Sequence, residues 1–188
     1  FREYWTYQGE EDRENPFRKL RFKDTPTEAT PSFSNDWVQS KILKPNVLEG
    51  INAEAQIIAY ALIETGCRPS EIANLLPENI CLDAEVPHIR IRPAAKRELK
   101  SVSSRRDIPL VGVSLEAMKR APNGFPRYRE KGNSLSAALL KTFHTRGLME
   151  TKKHCIYSFR HAFEKRMLEA GLDYGLRCTL MGHKNSRP

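Results

Sequence analysis

Apolar residues recur every three or four positions along the middle of the chain, which is the spacing of helices with one buried face. In residues 48–65 the apolar positions are Ile51, Ala55, Ile58, Leu62 and Ile63. Gly66 follows directly, and glycine is the residue that most often ends a helix. The pattern therefore predicts a buried helix over 48–65 that stops at Gly66.

Similar patterns predict further helices over 33–43, from Pro69 onwards, and over 115–120, 135–144, 158–170 and 174–181. Proline suits the first turn of a helix because its missing N–H would have no partner there. Ser34 or Asn35 is expected to cap the helix over 33–43, and Ser158 the helix over 158–170. Gly171 and Gly182 are placed to end the last two helices.

Two segments show strand patterns instead. Residues 86–93 alternate between apolar and polar positions through Ile89 and Ile91, as in a half-buried strand, and 107–111 form a second candidate. The connection between them is strongly basic, with Lys96, Arg97, Lys100, Arg105 and Arg106. We therefore expect an α+β domain that is mainly α, with a small antiparallel β-sheet whose hairpin carries a basic tip.

The N-terminal part reads as a separate unit. Phe1, Tyr4 and Tyr7, with Trp5 beside them, suit one apolar face of a helix, which Asn15-Pro16-Phe17 would stop. Residues 18–31 are basic and then rich in Thr and Pro, as in a linker or extended arm. The predicted organisation is a terminal helix over 1–15, a linker over 16–32 and a main domain over 33–188.

Composition narrows the class of protein. The 188 residues include 31 Lys and Arg against 23 Asp and Glu, a formal net charge of +8, which favours a polyanionic partner such as nucleic acid. No apolar run is long enough to span a bilayer, and the first residues do not resemble a signal peptide. We therefore expect a cytoplasmic protein that binds no membrane.

The four cysteines are spaced too widely for a metal knuckle or a redox motif: Cys67, Cys81, Cys155 and Cys178. We interpret them as reduced thiols of a cytosolic protein and expect no cofactor and no metal. A metal site built on His154 and Cys155 is a less favoured alternative.

Three segments carry residues suited to phosphate chemistry. In the first, Arg68 lies in the turn 65–72 beside the free N–H groups of a helix start, where an anion is favoured. The second is the basic, hydroxyl-rich hairpin tip over 97–110, suited to phosphate contacts. The third places Arg160 and His161 near a helix start, and is followed by His183 just after a helix end.

Together these segments resemble the tyrosine recombinase or phage integrase family. The turn Thr65-Gly66-Cys67-Arg68-Pro69-Ser70-Glu71 is similar to the family's first arginine box, and Lys100 to its hairpin lysine. Tyr157-Ser158-Phe159-Arg160-His161 is similar to its H-x-x-R-H box, and Leu180-Met181-Gly182-His183 to its L-x-G-H box. The resemblance covers roughly Asn15 to the end of the chain, with every box in the expected order. It implies that residues 1–15 are the end, or the last helix, of the family's N-terminal core-binding domain and that Asn15-Pro16-Phe17 is its junction with the catalytic domain.

The resemblance implies site-specific DNA recombination or integration, by strand cleavage and rejoining through a 3′-phosphotyrosyl intermediate. It implies catalytic roles for Arg68, Lys100, Tyr157, Arg160 and His183, and support from His161. It also implies DNA contacts from Lys96, Arg97, Arg105 and Arg106. The expected partner is a double-stranded attachment site, bound by a homotetramer when the protein is full length, in the nucleoid of a bacterial host.

The sequence departs from the family pattern in two places. Tyr157 stands where the second box usually begins with histidine, and no tyrosine follows His183 before the end at Pro188. We therefore expect residues 33–188 to be a catalytic domain that ends before its nucleophile and is inactive as it stands. The alternatives are a non-catalytic DNA-binding relative, a type IB topoisomerase or, less favoured, a helical RNA-binding protein.

Overall fold

Helices make up about half of the residues that the structure describes, and a small sheet lies beside them. The structure, a computed structural model, describes residues 2–10, 12–14, 29–93 and 102–185. The helices are α1 Arg2–Tyr7, α2 Asn35–Trp37 with its π-helical continuation Val38–Ile42, α3 Ala53–Thr65, α4 Pro69–Ala73, α5 Gly112–Lys119, α6 Gly132–Thr145, α7 Ser158–Glu169 and α8 Tyr174–Met181. Within the described ranges no helix is both long and apolar enough to cross a membrane.

Three short strands form one antiparallel sheet in the order β1 Ile80–Cys81, β2 His88–Ile91, β3 Arg106–Pro109. Ile89 lies at its centre and pairs with Ile80 on one side and Ile108 on the other. The predicted fold class, mainly helical with a small antiparallel sheet, is confirmed.

The central element of the core is α3, which packs against α4, α5, α6 and α7. Its apolar residues lie on most sides of the helix, and a helix of this composition is stable only when it is surrounded. Ile58 and Leu62 accordingly have 0% and 1% of their surface exposed. The end of α3 is thereby fixed in position relative to all of its neighbours.

The start of α7 is anchored to the beginning of the packed region. Phe33 is buried, and its ring lies 4.8 Å from Phe159 on α7 and 4.7 Å from His154 just before it. Ser34 caps α2, as one of the two predicted candidates, and its own N–H and hydroxyl donate to Glu150 at 2.9 Å and 2.7 Å. These contacts fix the first turn of α7, which carries Arg160.

Several predicted boundaries were wrong. The first helix ends at Tyr7, and its aromatic residues Tyr4 and Tyr7 are exposed, so the predicted apolar face is not buried. The central helix starts at Ala53 because the Asn52 side chain accepts the N–H groups of Glu54 and Ala55. The strand Ile80–Cys81 was not predicted, since two residues are too few to show a period.

Two further predictions concern particular residues. Ser158 does not cap α7: it is the first helical residue, and its hydroxyl accepts the N–H of Cys155 at 3.1 Å. The proposed junction Asn15-Pro16-Phe17 and most of the linker lie outside the described residues. The division into a terminal helix, a linker and a main domain therefore stays a prediction.

Gly66→Ala is expected to lower the free energy of unfolding by at least about 2 kcal/mol. The left-handed backbone of Gly66, with φ of 61°, disfavours any side chain, and a Cβ there would lie 2.4 Å from Cδ1 of Phe163. Gly147→Ala is the matched control, because Gly147 has φ of 62° but no atom within 4 Å of its added Cβ. Urea unfolding measures the decrease in the free energy of unfolding for each variant. Equal decreases in Gly66→Ala and Gly147→Ala would contradict the close contact between Gly66 and Phe163.

Candidate functional site

Three helix ends converge beside the sheet. α3 ends at Gly66 and α8 ends at Gly182, both in the left-handed conformation, and α7 begins between them. A Cβ at Gly182 would lie 2.8 Å from Nη1 of Arg106, so that only glycine allows this approach. The two glycine turns therefore bring the segments of Arg68, Arg160 and His183 together.

Arg160 joins these ends from the interior. Its side chain is among the largest that are fully buried, with the residue 1% exposed. Nη1 donates to the carbonyl of Gly66 at 2.6 Å, and Nη2 donates to the carbonyl of Met181. Carbonyl groups at helix C-termini carry partial negative charge, which favours a cation there. Burial, followed by the charge of Arg68, lowers the pKa of Arg160, and the guanidinium still stays charged at neutral pH.

His183 lies in the turn after α8, where Nη2 of Arg160 approaches its Nε2 at 3.1 Å. Arginine can only donate hydrogen bonds, so Nε2 of His183 must accept and the ring proton must reside on Nδ1. Desolvation of the ring, followed by the charge of Arg160, lowers the pKa of His183 below its ordinary value. At neutral pH His183 is therefore a neutral ring that offers Nδ1–H as a donor.

This arrangement predicts how stability depends on pH. The pKa of His183 is lower in the folded protein than the ordinary 6.5, so the unfolded chain takes up the proton first as the pH falls. The free energy of unfolding of the wild type should therefore fall relative to that of His183→Asn between pH 7.5 and 5, since asparagine does not titrate. Urea unfolding at several pH values measures the free energy of unfolding of both proteins. If the wild type kept or increased its stability relative to His183→Asn as the pH falls, the lowered pKa of His183 would be contradicted.

Arg68 approaches the same region from the start of α4, where Pro69 is the first helical residue. Glu71, one turn later, accepts the backbone N–H of Arg68 at 2.9 Å and its Nη1 at 2.6 Å. The Arg68 side chain keeps 19% of its surface exposed and lines a cleft of about 410 Å³. Of the two arginines, Arg68 is therefore the one open to solvent.

Tyr157 lines the same cleft immediately before α7. Its ring is 36% exposed and meets His161 edge to face, with ring centres 5.2 Å apart. His161 thus packs against Tyr157, and its supporting role in the site stays a prediction. Arg68, Tyr157, Arg160 and His183 are brought together, whereas Lys100 lies outside the described residues.

The structure corrects the expectation for Arg106. This residue is 5% exposed and belongs to β3 instead of the hairpin tip. Its guanidinium donates hydrogen bonds to Glu71, Ser104 and Leu180 inside the fold. Arg105 next to it is exposed, as expected. Lys96 and Arg97 lie outside the described residues.

Glu71 is the site residue for which the sequence analysis gave no role. It is 3% exposed and accepts from Nη2 of Arg106 at 2.8 Å as well as from Arg68. Burial alone would raise the pKa of Glu71, but hydrogen bonding and charge from Arg106, joined by Arg68, hold it below its ordinary value. Its position three residues after Arg68, in the first turn of a helix, was a usable signal for a carboxylate that caps this turn.

The cysteines take no visible part in this chemistry. All four are free, and burial, followed by the charge of Glu71, raises the pKa of the Cys67 thiol to about 12. His154 is buried, and its ring nitrogens lie against Thr151 and the carbonyl of Ser32. In the part of the chain that the structure describes, no three His, Cys, Asp or Glu side chains are grouped to hold a metal ion.

No protein-family model matches the chain, and no curated protein matches it. Solved structures do: the integrase of the Tn1549 transposon, in complex with circular intermediate DNA, gives a TM-score of 0.65 at 19% identity, covering 96% of this chain and 68% of that one. The integrase from mycobacterium phage Brujita gives a TM-score of 0.61 at 20% identity, and the match covers 97% of this chain and 59% of that integrase. XerH site-specific recombinase bound to palindromic difH substrate gives a TM-score of 0.61 at 16% identity, and the match covers 89% of this chain and 50% of XerH. The chain therefore shares the fold of these integrases and recombinases, as the sequence resemblance implied.

Proposed function

We propose that this chain is the catalytic domain of a tyrosine-type site-specific recombinase, which cleaves and rejoins duplex DNA through a 3′-phosphotyrosyl intermediate. The observation that carries the proposal is the meeting of Arg160 and His183, 3.1 Å apart, within range of the charge of Arg68. Two guanidinium groups and a neutral imidazole with a free N–H donor form a site suited to the non-bridging oxygens of a phosphodiester.

In the proposed reaction a tyrosine hydroxyl attacks the phosphorus of the scissile phosphodiester. A bond forms from the tyrosine oxygen to phosphorus as the hydroxyl proton of the tyrosine passes to water. The bond from phosphorus to the 5′-oxygen breaks, and that oxygen takes up a proton and leaves as a 5′-hydroxyl. Negative charge increases on the non-bridging oxygens, and fixed donors stabilise it most effectively because they need no reorganisation. Strand exchange reverses the step on the partner duplex, with no ATP or metal required.

Each site residue has a part in this proposal. Arg68 binds a non-bridging oxygen from the open cleft, while a second oxygen takes the place of His183 Nε2 as acceptor for Nη2 of Arg160. His183 donates a hydrogen bond from its Nδ1–H to a non-bridging oxygen of the phosphate. Lys100 protonates the leaving 5′-oxygen as a general acid.

Tyr157, which packs against His161, occupies the position of the family's histidine, and we place it near the nucleophile, where it assists removal of the hydroxyl proton. In the family that the sequence resembles, the nucleophilic tyrosine follows the box that here ends in His183, and the proposal places the nucleophile there. The proposed substrate is a double-stranded recombination site in the bacterial nucleoid, bound by a homotetramer.

Mapping of 5′-hydroxyl ends tests this function against its rivals. The protein, continued through the coding sequence that follows Pro188, is incubated with fragmented DNA of its source genome, and new 5′-hydroxyl ends are sequenced. A recombinase produces them at one or a few sequences. Ends scattered without preference would indicate a topoisomerase, and DNA binding with no new ends would indicate a non-catalytic relative.

Arg105→Ala should weaken duplex binding without abolishing it. An exposed arginine that meets a phosphate releases about one counterion, so its loss should lower the slope of log Kd against log salt by about 1. The slope can be measured by fluorescence anisotropy with the 188-residue chain. An unchanged slope and affinity would remove Arg105 from the DNA interface.

A further inference from the structure

We propose that Arg106 is a positioning residue of this site: it holds Arg68, the His183 turn and the base of the β2–β3 hairpin in one arrangement and does not touch DNA. The inference rests on the proposed function for its catalytic meaning. Its structural part concerns only the described residues and can be tested without DNA.

The guanidinium of Arg106 contacts three different parts of the fold. Nη2 donates to Oε2 of Glu71 at 2.8 Å, and Nη1 lies 3.3 Å from its Oε1. Nη1 also donates to the carbonyl of Ser104 at 2.8 Å, and Nε donates to the carbonyl of Leu180 at 2.8 Å. With its side chain 1% exposed, Arg106 has every contact inside the protein.

The first of these contacts governs the charge of Arg68. Glu71 is shared between the two arginines, with Oε1 on Nη1 of Arg68 at 2.6 Å. Without Arg106, the carboxylate would be compensated by Arg68 alone, and the cation facing the cleft would be neutralised. Arg106 supplies the buried counter-charge, so that Arg68 stays oriented by Glu71 and retains attraction for a phosphate.

The second contact positions His183. Leu180 is in the last turn of α8, and Gly182 lies against Arg106 so closely that an added Cβ would be 2.8 Å from Nη1. The turn that presents His183 thus rests directly on the Arg106 guanidinium. Because the turn packs on the guanidinium and Leu180 accepts from its Nε, we expect a smaller group in its place to change the position of the turn.

The third contact fixes the base of the hairpin. Nη1 of Arg106 donates to the carbonyl of Ser104, two residues before it in the hairpin, at 2.8 Å. Separately, the backbone carbonyl of Arg106, at the start of β3, accepts from Nη1 of Arg92 across the hairpin at 3.0 Å. The segment that these residues close contains Lys100. The Arg106 side chain therefore joins the first arginine box, the last histidine box and the hairpin.

Arg106→Lys tests the planar shape of the group while keeping its charge. An ammonium group has one nitrogen, so it cannot donate hydrogen bonds to Glu71, Ser104 and Leu180 together as the three nitrogens of the planar guanidinium do. In the chain extended past Pro188, we expect duplex affinity within about 2-fold of the wild type and a single-turnover cleavage rate at saturating DNA at least about 10-fold lower. Arg105→Ala serves as the comparator that does lose affinity.

A double-mutant cycle with Glu71→Gln separates positioning from a general loss of structure. If Arg106 acts through Glu71, Arg106→Lys should slow cleavage much less in the Glu71→Gln background than in the wild type. Should Arg106→Lys fail to fold, the pair Glu71→Gln/Arg106→Gln removes both buried charges together and should fold, bind DNA and cleave slowly.

The His183 ring gives a readout that needs neither DNA nor cleavage. Its NMR signals, assigned with His183→Asn in the 188-residue chain, should move in Arg106→Lys and stay in place in Arg105→Ala. If the wild type does not cleave, the proposed function fails, and binding and the His183 signals still decide the positioning role. Loss of affinity in Arg106→Lys equal to that in Arg105→Ala, or unchanged His183 signals, would overturn it.

Discussion

Arg160→Lys is expected to lower DNA cleavage by at least about 100-fold while duplex binding is largely retained. The guanidinium donates to Gly66, Met181 and His183 at once. In the proposed reaction a phosphate oxygen replaces His183 as the acceptor for Nη2. Lysine keeps the charge but has no fork, so it cannot hold the two helix ends and reach the phosphate together. The measurement is the single-turnover rate at saturating DNA, with Kd measured in parallel.

Arg160→Lys is a sharper test than Arg160→Ala. Alanine would leave two buried carbonyl groups without their donor and open a cavity, so loss of activity could follow from loss of the fold. Circular dichroism and urea unfolding of the lysine variant establish that it is folded. A folded Arg160→Lys protein that cleaves at the wild-type rate would remove Arg160 from the mechanism.

Glu71→Ala is expected to lower the free energy of unfolding by about 3–5 kcal/mol. The carboxylate is buried between Arg68 and Arg106, and its removal leaves the Arg106 charge in the interior without its ionic partner. Urea unfolding at neutral pH measures the loss.

Glu116→Ala is the matched control for this change. Glu116 also pairs with a cation three residues away, Lys119 at 2.7 Å, but both side chains are exposed. An exposed pair contributes at most about 1 kcal/mol, so the control should lose far less than Glu71→Ala. Similar losses in the two variants would show that burial of the Glu71 network contributes nothing to stability.

Features determined by neighbouring residues were predictable from the sequence. Ser34 caps α2, Gly66 ends α3, and the last helix spans Tyr174–Met181 as expected. These depend on a hydroxyl, on a left-handed glycine and on a short apolar period, all of which act within a few residues.

Arg105 and Arg106 show where sequence reasoning stopped. They are adjacent basic residues with the same apparent chemistry, yet one is exposed and the other is enclosed by Glu71, Ser104 and Leu180. Strand alternation sends neighbouring side chains to opposite faces, and the start of β3 decides which one turns inward. The residue at which β3 starts depends on its pairing with β2. The sequence alone therefore could not show which of the two adjacent arginines is exposed and which is buried.

Arg160 shows the same limit in another form. The resemblance gives it a phosphate-binding role, but its burial against two helix ends depends on Gly66 and Met181, which are distant in sequence. Its structural role, hydrogen bonding to the ends of α3 and α8, therefore could not be predicted from the sequence.

The most direct test of the central claim is the identity of the covalent bond to DNA. The protein, continued through the coding sequence after Pro188, is incubated with fragmented source DNA in the presence of a chelator and without ATP, then denatured, digested and analysed by mass spectrometry. The account predicts a peptide from beyond His183 joined through tyrosine to a DNA 3′-phosphate, and no such peptide from Arg160→Lys. DNA binding without any adduct, or an adduct on a residue other than tyrosine, would contradict it.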